Sequence, residues 1–86
     1  MTQFQVIIAE PAGMHARPAA QLVQLASRYK SKVSLTANNR TVDARSLLGI
    51  MSLGAACGTE VSVCIEGVDE TECRAALHSL MAPVAG

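Results

Sequence analysis

The sequence predicts an α+β fold, an open-faced two-layer β-sandwich with a four-stranded antiparallel sheet and three helices on one face, in the order βαββαβα. Four segments alternate apolar and polar side chains, which is the pattern of strands with one buried face. Three other segments carry apolar residues at spacings of three and four, as amphipathic helices do. Strands with a single apolar face favour an antiparallel sheet covered on one side.

Length and charge limit the classes of function. A chain of 86 residues is expected to form one domain over residues 1–86. Lys and Arg number 7 and Asp and Glu number 7, so the formal net charge of zero argues against nucleic-acid binding. The sequence has no signal peptide pattern and no apolar run near the roughly 20 residues needed to span a bilayer. We therefore expect a soluble, cytoplasmic monomer that does not insert into membranes.

The cysteines do not indicate a metal or redox site. Cys57, Cys64 and Cys73 are odd in number, and their spacings match no zinc or CxxC pattern. We expect them to be small buried side chains in a reduced compartment. The sequence accordingly predicts no metal and no cofactor.

The first strand and first helix follow from a change of periodicity. Apolar residues at every second position over 4–8 predict a strand. The Glu-Pro-Ala-Gly segment at 10–13 breaks that strand into a loop. A helix is expected from about Ala16 to Tyr29, with Pro18 in its first turn, where the missing N–H is tolerated. Its apolar face consists of Ala19, Leu22, Val23 and Ala26.

The middle of the chain predicts a hairpin. Alternation over 32–37 indicates the second strand. Asn38 and Asn39 suit a tight turn, because asparagine tolerates positive φ. A short third strand is expected to pair back over about Thr41–Ala44.

The remaining elements complete the predicted order. Ser46 can N-cap a short helix that Gly54 ends, and alternation over 61–66 indicates the fourth strand. The segment Asp69–Glu72 resembles a capping box and predicts the start of the last helix, and the tail Pro83–Gly86 is expected to fray. The apolar face of the last helix consists of Cys73, Ala76, Leu77, Leu80 and Met81.

His15 falls where the first loop meets the first helix. The first N–H groups of a helix have no intrahelical partner, and the helix dipole makes that end positive. An anion on His15 would therefore face the N–H groups of Ala16 and Arg17, as phosphates do at helix N-termini. The Arg17 guanidinium could add a charge-assisted contact. Because a neutral imidazole can attack phosphorus, the pattern allows phosphoryl chemistry with His15 and Arg17 as catalytic residues and Ala16 and Arg17 as phosphate ligands. A histidine that only caps the helix or lies on the surface would give the same pattern.

Two segments resemble the signatures of a known family. Residues 13–20, Gly-Met-His-Ala-Arg-Pro-Ala-Ala, resemble the active-site signature of the HPr family, the histidine phosphocarriers of the bacterial phosphoenolpyruvate:sugar phosphotransferase system. Residues 46–54 resemble the second signature of that family, around its regulatory serine. The spacing of the two segments and the chain length also fit, so the resemblance covers essentially the whole chain.

The resemblance implies a reaction, partners and regulation. Enzyme I, charged by phosphoenolpyruvate, would phosphorylate His15 on Nδ1, and the group would pass to an enzyme IIA domain during sugar uptake. Arg17 would assist, and the domain would be a carrier rather than a complete enzyme. A serine kinase/phosphatase would regulate the protein at Ser46. The implied partner interface consists of Ala16, Ala20, Leu47, Leu48 and Met51, whereas Ile50 and Leu53 are expected in the core.

The sequence departs from the family pattern at several positions. Ala12 stands where relatives often carry a hydroxyl or amide side chain, so it cannot donate a side-chain hydrogen bond to a phosphate. Gln24 and Ser27 replace basic residues that are common in sugar-type carriers. His78 falls inside the last helix, where we interpret it as a surface residue rather than a second acceptor.

Other functions stay open on the sequence alone. The chain could be a carrier of the nitrogen-related regulatory branch or a carrier domain of a multidomain phosphotransferase. It could also be a non-phosphorylated regulatory binding module, although the pairing of His15 with Arg17 argues against this. A small acylphosphatase-like hydrolase would need a second set of catalytic residues, which the sequence does not offer.

Overall fold

The computed structural model describes residues 1–81. The expected fraying of Pro83–Gly86 lies outside the described residues. Over residues 1–81 the chain forms four strands and three helices in the predicted order. They are β1 (Thr2–Ile7), α1 (Ala16–Ala26), β2 (Lys32–Ala37), β3 (Arg40–Asp43), α2 (Leu47–Ser52), β4 (Glu60–Glu66) and α3 (Glu70–Met81).

The strands form one antiparallel sheet in the order β1-β4-β2-β3. Phe4 and Leu35 both pair with Val63, and all three side chains are buried. One position along, Ser62 pairs with Gln5 and Thr36, which lie on the opposite, exposed side. The predicted α+β architecture is confirmed. In β1, β2 and β4 alternate side chains are buried in the core, and those between them are exposed or half-buried.

The core lies between the sheet and the helices. From α1 it receives Ala19, Leu22 and Ala26, which are three of the four residues predicted for its apolar face. Ile50 and Leu53 are buried at α2 and just after it, as expected from the sequence. The residues buried from α3 are Cys73 and Leu77.

The hairpin joins the sheet to the end of α2. Asn38 and Asn39 have φ values of 52° and 63°, as the sequence predicts for a tight turn. Because the turn has two residues, Ala37 pairs directly with Arg40, and β3 begins and ends one residue earlier than expected. The Asn38 side-chain amide donates to the carbonyls of Leu53 (2.8 Å) and Gly54 (3.2 Å).

The prediction that α1 continues to Tyr29 is wrong, because the helix ends at Ala26. The Ser27 hydroxyl donates to the Val23 carbonyl at 2.7 Å. The next amides, of Arg28 and Tyr29, bond three residues back rather than four. This tighter turn ends the helix and leads the chain into β2.

The predicted capping box at Asp69–Glu72 is also wrong. The Asp69 carboxylate instead accepts hydrogen bonds from the Lys30 N–H (2.8 Å), the Ser31 N–H (2.9 Å) and the Ser31 hydroxyl. These bonds, the Ser31 hydroxyl foremost, lower the pKa of Asp69. A cap-like exchange occurs two residues earlier, because Gly67 N–H donates to Glu70 Oε1 and Glu70 N–H donates to the Gly67 carbonyl, both at 3.3 Å. The local sequence pattern did not predict this contact of Asp69, just before α3, with Lys30 and Ser31, just before β2.

The expectation of three buried cysteines holds only for Cys73. Cys64 is half-buried on the outer side of the sheet, and Cys57 is exposed in the loop between α2 and β4. Within residues 1–81 the three thiols form no disulfide, and no three His, Cys, Asp or Glu side chains gather as metal ligands. Among these residues no helix is long and apolar enough to cross a bilayer.

Candidate functional site

His15 is the N-cap residue of α1. Its backbone is extended, with φ −90° and ψ −172°, and its carbonyl accepts the first helical hydrogen bond, from Ala19 N–H at 3.1 Å. The His15 side chain is half-buried and makes no capping hydrogen bond to the described residues. The backbone of His15 therefore starts the helix while its imidazole remains available for other chemistry.

The first amides of α1 have no acceptor. Within residues 1–81 the N–H groups of Ala16 and Arg17 make no hydrogen bond, and Pro18 has no N–H to offer. The first turn of α1, all of it in the described part of the chain, contains no acidic side chain. Two unpaired donors and the positive end of the dipole therefore adjoin His15, which is an arrangement that binds anions.

The Arg17 guanidinium has no fixed partner. The residue is exposed, and its side chain makes no hydrogen bond or ion pair with residues 1–81. The other exposed arginine near a helix start, Arg45, is held by the carbonyls of Tyr29 (2.5 Å) and Ser31 (3.2 Å). Arg17 is thus able to give its donors to a phosphate without losing a contact of the fold.

A second chain segment holds the loop that leads to His15. Met14 N–H donates to the Ala55 carbonyl at 2.7 Å, and Gly13 is buried with φ 75° beside the same carbonyl. Sequence reasoning missed Ala55, because a backbone acceptor leaves no side-chain pattern. The loop glycine at 13 is the one signal that could have indicated a close backbone approach.

Ser46 caps α2 as the sequence predicts. Its hydroxyl oxygen accepts a hydrogen bond from Gly49 N–H at 3.0 Å, and the residue is exposed. Gly49 leaves room for this contact, since an added Cβ would lie 2.9 Å from Ser46 Oγ. The Ser46 side chain therefore has a structural role at this helix start.

One side of α2 is apolar and exposed. Leu47, Leu48 and Met51 have exposed fractions of 39%, 80% and 42%. Ala16 is exposed and Ala20 is half-buried on α1, which packs against α2. We call these five residues the apolar patch. Large exposed side chains grouped in this way are typical of protein contact surfaces.

His78 lies on α3 and packs against β1. Its ring meets the Phe4 ring edge-on, with 5.1 Å between the centroids, and the Arg74 guanidinium lies 5.5 Å from the Phe4 centroid. His78 is exposed, as expected, and lies inside a helix rather than at its start. The α1 amides that adjoin His15 therefore have no counterpart at His78.

Comparison with known proteins agrees with this geometry. A family model described as "PTS HPr component phosphorylation site" matches residues 2–82. The phosphocarrier protein HPr of Cupriavidus necator is 42% identical over 82 residues, which cover 95% of this chain and 92% of that protein. The phosphocarrier protein HPr of Treponema pallidum is 45% identical over 69 residues, 80% of this chain and 78% of that protein.

Solved structures with similar sequences share the fold. HPr-C-His from Thermoanaerobacter tengcongensis superposes with a TM-score of 0.89 at 42% identity, covering 94% of this chain and 91% of that one. Crh from Bacillus subtilis, described as a domain-swapped dimer, gives 0.73 at 40% identity, covering 93% and 92%. By the family match and these relatives, the chain belongs to the HPr family, the phosphocarriers of the phosphotransferase system.

Proposed function

We propose that His15 accepts a phosphoryl group from phosphorylated enzyme I and passes it to an enzyme IIA domain during sugar uptake in the cytoplasm. The observation that carries this proposal is the start of α1. There the His15 imidazole makes no capping bond, while the adjoining N–H groups of Ala16 and Arg17 have no acceptor among the described residues.

The chemistry is a displacement at phosphorus in each direction. The lone pair of a neutral His15 ring nitrogen, Nδ1 by family resemblance, forms the N–P bond. The bond between phosphorus and the donor breaks, and its electron pair stays on the donor. In the second transfer an acceptor on the IIA domain attacks the same phosphorus, and the electron pair of the N–P bond returns to the imidazole.

The surroundings of His15 favour the phosphorylated state. The new anion meets the unpaired N–H groups and the positive end of α1. The exposed Arg17 guanidinium supplies charge-assisted donors to the phosphate oxygens. Because these groups belong to the carrier, the phosphoryl group stays bound to His15 while the carrier moves from one partner to the next.

Incubation with enzyme I and phosphoenolpyruvate tests the proposal. We expect one acid-labile phosphate on the unsubstituted chain by intact mass, and none on His15→Ala. His78→Ala is the matched control, because His78 is the other of the 2 histidines and is exposed on α3. Phosphate that persists on His15→Ala would contradict the assignment of the acceptor.

We propose that partners dock on the apolar patch, Ala16, Ala20, Leu47, Leu48 and Met51. Leu48 is 80% exposed, so Leu48→Asp is expected to leave the fold intact while placing a charge in the contact. It should raise the KM of enzyme I for this carrier with little change in kcat. Val68→Asp is the control, since Val68 is 90% exposed in the turn before α3. Equal KM values for the two variants would contradict docking on the patch.

We propose that a serine kinase/phosphatase regulates docking through Ser46. The residue is exposed and directly precedes Leu47 and Leu48, so a phosphate there would add negative charge beside the apolar patch. Incubation with such a kinase and ATP should add one phosphate by intact mass, and Ser46→Ala should take none. The control is Ser52→Ala, at the other end of α2. Failure of the unsubstituted chain to gain mass would refute regulation at this residue.

The choice of enzyme I separates the branches. Phosphorylation by the sugar-system enzyme I supports the main proposal, whereas faster phosphorylation by a nitrogen-branch homologue would place the carrier in that branch. Hydrolysis of an acyl phosphate by this chain alone would instead favour an independent hydrolase.

A further inference from the structure

We infer that Gly13 is a positioning residue for the reaction proposed above: its contact with the Ala55 carbonyl sets where His15 lies at the start of α1. The inference rests on the proposed role of His15 as phosphoryl acceptor. It concerns a residue that touches neither phosphate nor partner and acts only through the backbone that carries the imidazole.

The contact leaves no space for a side chain at residue 13. A Cβ added to Gly13 would lie 2.7 Å from the Ala55 carbonyl oxygen and 3.0 Å from the Ala56 Cα. Both atoms belong to the backbone, so rotation of a flexible side chain cannot relieve the overlap. The φ of 75° at Gly13 also lies in the region that other L residues rarely adopt.

Two hydrogen bonds link the position of Gly13 to that of His15. Met14 N–H donates to the Ala55 carbonyl at 2.7 Å, and His15 N–H donates to the Gly13 carbonyl at 3.0 Å. The same His15 starts α1 by accepting from Ala19 N–H. A shift of Gly13 away from Ala55 would therefore move the imidazole relative to the amides of Ala16 and Arg17.

The segment that contains Ala55 is held by hydrogen bonds on both sides. The Asn38 side chain binds the carbonyls of Leu53 and Gly54, just before Ala55. Just after it, the Thr59 carbonyl accepts a hydrogen bond from Ile8 N–H at 2.9 Å. Because these hydrogen bonds hold the segment around Ala55, we expect an added Cβ at residue 13 to displace the loop that carries His15 rather than Ala55.

Gly13→Ala with Gly58→Ala as matched control tests the inference. Gly58 also has a positive φ, 91°, but an added Cβ there would meet nothing within 4 Å. Both variants place an alanine at a positive φ and keep the backbone N–H, and only at Gly13 does the added Cβ overlap backbone atoms. With phosphorylated enzyme I as donor, we expect kcat to fall at least about tenfold for Gly13→Ala, since displacements near 1 Å are costly in transfer reactions. Gly58→Ala should stay within about twofold of the unsubstituted kcat.

The split between kcat and KM distinguishes positioning from instability. The carrier is the substrate of enzyme I, so a partly unfolded variant lowers the concentration of competent substrate and raises the apparent KM. A misplaced imidazole on an intact apolar patch lowers kcat and leaves KM unchanged. Equal kcat values for Gly13→Ala and the unsubstituted chain, or equal losses in both glycine variants, would overturn the inference.

A second variant keeps the test decisive if Gly13→Ala does not fold. Chemical synthesis can replace the Met14 amide with an ester, which removes the donor to the Ala55 carbonyl without adding a side chain. We expect a lower kcat with unchanged KM, and an unchanged kcat would refute positioning through this contact. Absence of phosphate on His15 of the unsubstituted chain would instead be the failure of the proposed function itself.

Discussion

Helices α1 and α2 begin with opposite uses of the N-cap side chain. At α2, Ser46 turns its hydroxyl oxygen to the Gly49 N–H and so satisfies one amide of a helix of six residues. At α1, His15 also has an extended backbone, but its side chain leaves the first amides unpaired within the described residues. A capped start stabilises its own helix, whereas an uncapped start keeps donors available to a ligand.

The two helices also differ in what they expose. The distinctive feature of α1 is its N-terminal end, with His15 and Arg17, whereas that of α2 is its side, with Leu47, Leu48 and Met51. The two elements pack against each other. The two proposed roles, phosphoryl transfer at His15 and docking on the apolar patch, therefore fall on adjoining helices.

The largest expected effect separates the two faces of α2. Ile50 is fully buried, so Ile50→Ala should lower the free energy of unfolding by about 2–5 kcal/mol. Leu48 is 80% exposed, so Leu48→Ala should change it by less than about 0.5 kcal/mol. Denaturant titrations compare the two variants. A large loss in Leu48→Ala would mean that this side of α2 supports the fold rather than a contact surface.

The next effect concerns the open end of α1. Hydrogen bonds to charged groups contribute about 1.5–3 kcal/mol, so Arg17→Ala should slow phosphoryl transfer to His15 by about ten- to a hundredfold. Arg17→Lys should recover only part of the rate, because an ammonium cannot bind a phosphate in the planar, bidentate manner of a guanidinium. Single-turnover rates with phosphorylated enzyme I give the comparison. Arg28→Ala, exposed beyond the other end of α1, is the control, and equal rates for the two alanine variants would exclude Arg17 from the site.

The sequence was sufficient for features that repeat along the chain. Strand alternation at residues such as Val63 and helix spacing at residues such as Leu22 predicted the element order and the buried face. The start of α1 was also readable, because Pro18 is tolerated only near a helix N-terminus. From that start alone, His15 and the amides of Ala16 and Arg17 could be placed together.

Contacts between distant backbone segments were not readable. The Ala55 carbonyl that anchors Met14, and the amides of Lys30 and Ser31 that bind Asp69, leave no periodic pattern. In the second case the wrong capping box arose because a carboxylate near a helix start has more than one set of donors within reach. Such choices depend on tertiary packing, which local spacing does not encode.

A smaller effect compares the two caps directly. Ser46→Ala should lower the free energy of unfolding by about 1 kcal/mol, because the Gly49 N–H loses its acceptor. His15→Ala should change it by only about 0.5 kcal/mol or less, because His15 makes no capping bond. Denaturant unfolding of the two variants at neutral pH is the measurement. Equal losses would show that the imidazole does cap α1 in solution, and the contrast between the two starts would fail.

A pH-dependent effect is expected at the third helix start, where the Asp69 carboxylate binds Lys30 and Ser31. The Ser31 hydroxyl and the N–H groups of Lys30 and Ser31 hold the pKa of Asp69 below its ordinary value. A carboxylate with a lowered folded pKa stabilises the fold above its unfolded pKa. That stability is lost as pH falls below about 4 and through the folded pKa. We expect Asp69→Asn to weaken the fall of the unfolding free energy at acid pH. Denaturant unfolding at a series of pH values is the measurement.

Two other carboxylates set the controls for this measurement. The N-terminal ammonium, bound at 2.9 Å, and the Gly67 N–H also lower the pKa of Glu70, so part of the acid slope should remain in Asp69→Asn and disappear when Glu70→Gln is added. Glu72→Gln is the matched control, because Glu72 is exposed on α3 and its side chain makes no hydrogen bond or ion pair with residues 1–81. If Asp69→Asn keeps the full dependence of the unfolding free energy on acid pH, the Asp69 carboxylate does not bind Lys30 and Ser31 in solution.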